Sequence, residues 1–288
     1  MSKFWNKKDP ICNKIIMDKD FFYDYEPNII DFKNFLNKYN KVDNNYIFFN
    51  ENELKFYINI SLYFSKKENI IGTISLCLVQ YNNNITYGVT TNLCIRDDLR
   101  NKAYATYLIH KIMVLAKEKN VIMGYHQVSK APNNNHIILN SYLKPLNQEK
   151  CKLFNIYFDN SNNIKISESH LKSGFIHYTN NSPKLDFLNS LPNTFELWYN
   201  DDCSACIRLL NVNGIIIPSC ILLIGYNIIP FLEQLCFIYR NYAFLYILIN
   251  GSITSEDCHK INSFLVDKRY IHFYNFIPEN NFKYFFCI

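Results

Sequence analysis

Residues 92–109, NLCIRDDLRNKAYATYLI, decide how this chain is read. An apolar, strand-like run from Tyr87 to Ile95 feeds a short polar turn, Arg100-Asn101-Lys102-Ala103-Tyr104-Ala105. A helix follows at once, because Ala105, Leu108, Ile109, Ile112, Met113 and Ala116 recur at helical spacing and form one apolar stripe. A basic residue followed by small ones at a strand-to-helix junction suits a phosphate group. Small side chains let the phosphate approach the backbone, the first N–H groups of the helix point at it, and the helix dipole favours its charge. The turn from Arg100 to Thr106 is therefore expected to bind a phosphate-bearing carrier, coenzyme A before others.

Working outward, helical spacing predicts helices over Ile30–Tyr39 and Glu53–Ile60, and strands over 70–80 and 87–95 with an Asn82-Asn83-Asn84 turn between them. Val121–Val128 reads as the strand after the phosphate helix. Ser129–Asn160 is turn-rich, and residues 161–194 read as a connection. The second half reads as strands over 195–199, 205–212 and 215–226, a helix over 229–242, a strand over 244–249, a helix over 255–266, and strands over 270–276 and 282–288. Thr254 with Asp257 offers a capping box for the second of these helices. The halves echo each other in element order, which predicts an N-terminal domain over 1–160 and a C-terminal one over 195–288.

Composition bounds the function. At 288 residues, 49% of them hydrophobic and 16% aromatic, the chain can build a sizeable core. A net charge of +5, scattered along the chain, suits an anionic ligand and gives no footprint for nucleic acid. The ten cysteines sit mostly inside apolar runs, the pattern of buried free thiols in a reducing compartment, so a cytoplasmic protein is expected. Cys203 and Cys206 have zinc spacing, but no second pair supports them and no metal is expected. Residues 209–232 carry no charge, yet Asn, Gly and Pro interrupt them, so a buried hairpin and helix are expected there in place of a transmembrane span.

Three stretches resemble N-myristoyltransferase, a family of the GNAT acyl-CoA N-acyltransferase fold. Lys3-Phe4-Trp5 looks like the Phe-Trp near the start of its catalytic domain. Asn92-Leu93-Cys94-Ile95, Leu99-Arg100-Asn101-Lys102, Ala105 and Leu108-Ile109 look like its Asn-Phe-Leu-Cys-Val…Leu-Arg-Ser-Lys…Ala-Pro-x-Leu-Ile signature. Residues 142–151, YLKPLNQEKC, are similar to its Tyr-Trp-His-Arg-Ser-Leu-Asn stretch through Leu146-Asn147. The sequence departs from the family at Ala103, where the GNAT loop has Gly, at Leu143, where the family has His, and in lacking the Gly-Asp-Gly stretch.

The resemblance implies an α/β (α+β) fold of two GNAT-like halves, forming one mixed, largely antiparallel sheet flanked by helices. It implies transfer of a fatty acyl group from myristoyl-CoA, an acyl-CoA co-substrate, to the N-terminal glycine of a peptide or protein, by a monomer. Lys3, Phe4, Trp5, Cys94, Ile95 and Arg100–Thr106 (Arg100, Asn101, Lys102, Ala103, Tyr104, Ala105, Thr106) would hold the carrier. The backbone amides of Asn92 and Leu93 would polarise the thioester, on a strand bulged near Thr91–Leu93, and the Ile288 carboxylate would take the proton. Asp43, Tyr46, Phe48, Phe49 and Tyr125 would line the acceptor site. A GNAT enzyme using a shorter acyl group, and an inactive acyl-CoA-binding relative, remain open alternatives.

Overall fold

The computed structural model describes residues 21–24, 28–42, 45–57, 60–66, 69–81, 85–119, 121, 124–128, 136–154, 156, 172–173 and 194–274. It divides into two compact units, residues 1–136 with 271–278 and residues 137–270 with 279–288. The 142–151 stretch thus groups with the second unit.

The first unit contains β1 (Phe21–Asp24), α1 (Ile29–Tyr39), the small hairpin β2 (Lys41–Val42) and β3 (Asn45–Phe48), and α2 (Glu51–Tyr57). Then come β4 (Ile60–Lys66), β5 (Asn69–Tyr81), β6 (Ile85–Ile95), α3 (Tyr104–Glu118) and β7 (Gly124–Val128). The strands lie in the order β1-β4-β5-β6-β7, antiparallel up to β6 and parallel between β6 and β7. Leu108, Ile112 and Ala116 of α3 pack on Ile71, Ile74, Leu76 and Ile95, which places the predicted apolar stripe of this helix on the sheet. Residues alternate sides along a strand, so Thr73, Ser75 and Cys77 of β5 face the opposite layer, where α1 and α2 pack.

In the second unit the order is β8 (His136–Pro145), β13 (Phe244–Leu248), β12 (Ile215–Gly225), β11 (Cys203–Val212), β10 (Phe195–Tyr199), β9 (Lys172–Ser173). All neighbours are antiparallel except β12 and β13. Helices α5 (Ile228–Ile238) and α6 (Ser255–Lys260) cover one face through Phe231, Leu232, Leu235, Cys258 and Ile261. On the other, α4 (Gln148–Lys152) contributes Cys151 to a cluster with Leu143, Ile217 and Phe244. Asn213 and Gly214, both at positive φ (50° and 84°), close the β11–β12 hairpin as an Asn-Gly turn requires. The uncharged run 209–232 is this hairpin and α5, and among the described residues no helix is long and apolar enough to cross a membrane.

Several boundaries differ from the sequence expectation. The helix expected over Glu53–Ile60 runs Glu51–Tyr57, and Ile60 opens β4, where Ile60, Leu62 and Phe64 alternate with Ser61, Tyr63 and Ser65. Inside the stretch expected to be turns, His136–Pro145 is a strand. Its C-terminal residues are buried on both faces, which removes the alternation that marks a strand in sequence. The helix expected over 255–266 stops at Lys260, because Asn262 takes φ 56°, the Asn262 amide bonds to His259 and the Ser263 amide to Cys258. That is a Schellman stop, and Phe264–Val266 begin β14 (Phe264–Tyr274) instead. The helix expected over 229–242 ends at Ile238. The capping box of Thr254 and Asp257 is present.

Candidate functional site

The site is built where β6 leaves its ladder. Opposite β5, Thr91 pairs with Ser75 and Cys94 with Thr73, so Asn92 and Leu93 together face Ile74 alone: a β-bulge. Asn92 adopts φ 54°, a left-handed conformation that Asn tolerates better than most residues. Two buried hydroxyls of β5 hold it. Thr73 Oγ1 donates to the Asn92 carbonyl at 2.9 Å, and Asn92 Nδ2 donates to Ser75 Oγ at 2.8 Å. Asn92 is 8% exposed, and its Oδ1 has no hydrogen-bond partner in the structure. Leu93, by contrast, is 39% exposed. On the other edge of β6, pairing with β7 among the described residues covers Gly88–Thr90 against Gly124–His126 and ends short of the bulge.

Beyond Ile95 the chain turns sharply. The Arg96 guanidinium meets Asp98 at 2.7 Å, and a single 3-10 turn spans Asp97–Leu99. Arg100 then reaches back, with Nε to the Ile95 carbonyl at 3.2 Å, Nη2 to the Tyr39 carbonyl at 2.8 Å, and Nη2 to Asp97 at 3.1 Å. Lys41 closes on Asp97 at 2.8 Å. The Lys41 hydrogen bond, followed by the Arg100 charge, holds the Asp97 carboxyl below the usual carboxylate range, and Asp97 raises Lys41 in return. Asn101 (φ 62°) and Ala103 (φ 63°) both take left-handed conformations, which curl the turn into the start of α3. Ala103 thus occupies, with a side chain, the kind of backbone position that Gly adopts most easily. The side chains of Asn101, Lys102, Ala103 and Thr106 are exposed. The N–H groups of Tyr104, Ala105 and Thr106 lie in the first turn of α3, where helix geometry provides no intrahelical acceptor.

The remaining sequence candidates fall into three groups. Cys94 and Ile95 lie just past the bulge and are buried, and burial pushes the Cys94 thiol up to about 12, an inert thiol. Tyr46 and Phe48 are on β3, Tyr46 38% exposed with the Lys41 ammonium 5.9 Å from its ring. Phe49 is a core residue whose amide bonds Asn37 Oδ1 at 2.8 Å, and Tyr125 is buried on β7 opposite Val89. Lys3, Phe4, Trp5, Asp43 and Ile288 lie outside the described residues. Among the described residues no group of three or more His, Cys, Asp or Glu side chains is arranged to hold a metal ion. Leu146 and Asn147 sit between β8 and α4. Their amides bond the Ala243 carbonyl at 2.9 and 3.2 Å, and Asn147 caps α4 through the Lys150 amide.

Sequence reasoning missed Thr73 and Ser75. The available signal was two hydroxyls alternating inside an otherwise apolar strand, IIGTISLCL, where Val would fill the same space. It also missed that Arg100 is tied to the end of α1.

The mixed, largely antiparallel sheet flanked by helices matches the GNAT-like acyltransferase fold. N-myristoyltransferase structures share it. The Saccharomyces cerevisiae enzyme, solved with bound myristoyl-CoA and inhibitors, aligns over 90% of this chain and 81% of its own with a TM-score of 0.72 at 10% identity. Another structure of that enzyme with bound myristoyl-CoA gives 0.72 at 11% identity, over 90% and 83% of the two chains. A putative acetyltransferase from Pyrococcus horikoshii aligns over 96% of each chain with a TM-score of 0.61 at 8% identity. No protein-family model and no curated protein matches the sequence.

Proposed function

We propose that the chain is an acyl-CoA-dependent N-acyltransferase of the N-myristoyltransferase type, moving a fatty acyl group from its CoA thioester to the N-terminal glycine amine of a peptide or protein. The observation that carries this reading is the continuity of the Asn92–Leu93 bulge, the Asn101–Ala103 turn and α3 on one stretch of chain. In this reading the N–H groups of Tyr104–Thr106 and the exposed Lys102 hold the pyrophosphate. The acyl carbonyl lies at the bulge, where the Asn92 and Leu93 amides meet the oxygen as it gains charge. The amine nitrogen attacks the carbonyl carbon, the C–S bond breaks, and CoA departs with the bonding electron pair on sulfur. The amine's surplus proton passes to a base, for which the Ile288 carboxylate is the candidate, and from there to that sulfur, which gives the free CoA thiol. Lys3, Phe4 and Trp5 are candidates to cover the carrier, and Asp43 with Tyr46 and Phe48 to line the acceptor site. The buried, free thiols fit a reducing compartment, and a cytoplasmic monomer with no metal is the simplest form of the proposal.

Calorimetry across acetyl-, octanoyl- and myristoyl-CoA, followed by turnover with a glycine-started peptide, tests it. Binding that tightens with chain length together with peptide acylation is the expected result. Equal binding of acetyl-CoA points to a short-chain GNAT enzyme, tight binding without turnover to an inactive relative, and no binding of any of them removes the proposal.

A further inference from the structure

We infer that the Thr73 hydroxyl is a positioning residue for acyl transfer: it orients the Asn92–Leu93 peptide so that the Leu93 N–H is presented to the thioester oxygen. This rests on the acyl-CoA reading above and goes further, because it assigns a role to a side chain on a neighbouring strand.

The argument begins with the peptide plane. A trans peptide is planar and holds its C=O and N–H on opposite sides, and the described residues include no cis bond. The Asn92 carbonyl accepts from Thr73 Oγ1 at 2.9 Å, so the N–H of the same peptide, which belongs to Leu93, points away from Thr73 and from β5. In a regular ladder, backbone bonds on both strands would set that plane. The bulge takes this peptide out of register, and a side chain has to do what the ladder no longer does.

The second restraint sits two residues along on the same face. Ser75 Oγ accepts from Asn92 Nδ2 at 2.8 Å, which ties down the residue at the apex of the bulge. Packing alone gives no reason for these hydroxyls. Thr73 and Ser75 are both fully buried, where Val and Ala would fill the space without a polar group to satisfy. Without the Thr73 bond the peptide is free to turn over. A reversed plane would aim the Asn92 carbonyl at the developing oxyanion, replacing an attraction by a repulsion.

The test is carbonyl infrared spectroscopy on bound myristoyl-CoA labelled with 13C at the thioester carbon, alongside steady-state kinetics. In the unmodified protein the bound carbonyl band lies at lower wavenumber than in free myristoyl-CoA. Thr73→Val, nearly the same shape, is expected to keep myristoyl-CoA affinity, lose that displacement and lower kcat roughly tenfold or more with KM for acyl-CoA unchanged. Thr73→Ser, which keeps the hydroxyl and drops the methyl group, is expected to keep both the displacement and kcat. A Val variant with the original band and kcat overturns the inference and leaves the acyl-CoA reading standing. Loss of the displacement in Val and Ser alike also overturns it, since packing would then be the cause. An unmodified protein that binds no acyl-CoA overturns that reading and this inference with it.

Discussion

The guanidinium of Arg100 donates to the backbone carbonyl of Tyr39 at 2.8 Å, across 61 residues of sequence. With its further bonds to the Ile95 carbonyl and Asp97, Arg100 ties the turn before α3 to the last residue of α1. A side chain that reads in the sequence as an anion ligand is, in the fold, the clasp of the loop. Arg100→Ala is expected to lower stability by about 1 kcal/mol. It should also speed amide exchange at Leu99 and Tyr107, whose N–H groups bond the Arg96 and Ala103 carbonyls on either side of the turn, while Lys102→Ala leaves exchange there unchanged. Hydrogen-exchange mass spectrometry reads this directly, and an unchanged turn in Arg100→Ala would refute the clasp.

The same clasp predicts a pH dependence. Asp97 is held below its ordinary value of 3.8 by Lys41 and then Arg100. Its folded value lies below its unfolded one, so its contribution is present above the unfolded value and is lost as pH falls through the folded value. Protection of the turn amides, corrected for intrinsic exchange, should therefore weaken below roughly pH 4. Because the pair is exposed, raising the ionic strength at neutral pH should weaken it too.

Lys144 lies 6% exposed in β8, and burial lowers its pKa from the ordinary 10.5. A lysine whose folded value is depressed favours the unfolded chain while it carries charge, so stability should rise as pH climbs toward 10.5. Lys144→Met keeps the length of the side chain and removes the charge. The expected effect is a gain of about 1 kcal/mol at pH 7, seen as a rise of roughly 2–4 °C in Tm, with a flatter stability–pH profile. A loss of stability in the Met variant would mean that the ammonium has a partner it needs.

Eight described cysteines are free and buried, and burial pushes Cys77, Cys94, Cys203, Cys236 and Cys258 up to about 12. Cys12 and Cys287 lie outside the described residues, so at most two of the ten thiols are candidates for fast reaction with a thiol reagent at pH 8. All ten should react in guanidinium. Rapid native labelling of Cys94, mapped by mass spectrometry, would contradict the buried placement of β6.

Leu108 is fully buried where α3 meets β5, beside Ile71 and Ile95. Leu108→Ala should cost about 3 kcal/mol in urea unfolding, through lost burial and the cavity left behind. A cost under about 1 kcal/mol would mean that α3 does not pack as described.

How much of this was legible follows from which forces act locally. The α3 stripe, the Thr254 cap and the Asn213-Gly214 turn are written within a few residues and can be read there. The resemblance around Asn92 and Arg100 pointed to the GNAT fold because the backbone path of the strand, turn and helix is encoded in adjacent residues. β8 was illegible because Ser141 and Lys144 occupy buried positions, which tertiary contacts allow and periodicity does not signal. The Tyr39 carbonyl that Arg100 reaches and the partners of Asn92 lie 61 and 17–19 residues away, and no local pattern names them. The end of α6 at Asn262 could have been read from an Asn-Ser pair, but the apolar residues that follow extended the helical pattern past it.

The extra residue in β6 also sets a counting rule. Before Asn92 the residues opposite Leu76 and Leu78 are Thr90 and Gly88, even-numbered; after it, the residue opposite Gly72 is Ile95, odd-numbered. Side chains alternate, and the bulge absorbs the added residue, so Ile95 stays under α3 and Cys94 stays on the other layer although the numbering has shifted by one. Removing a single residue between Thr91 and Leu93 would therefore leave Cys94 opposite Thr73 and Ile95 opposite Gly72, in a regular ladder. The core would keep its inside and outside, and only the outward bend of the backbone at Asn92, with the peptide that Thr73 holds there, would be lost.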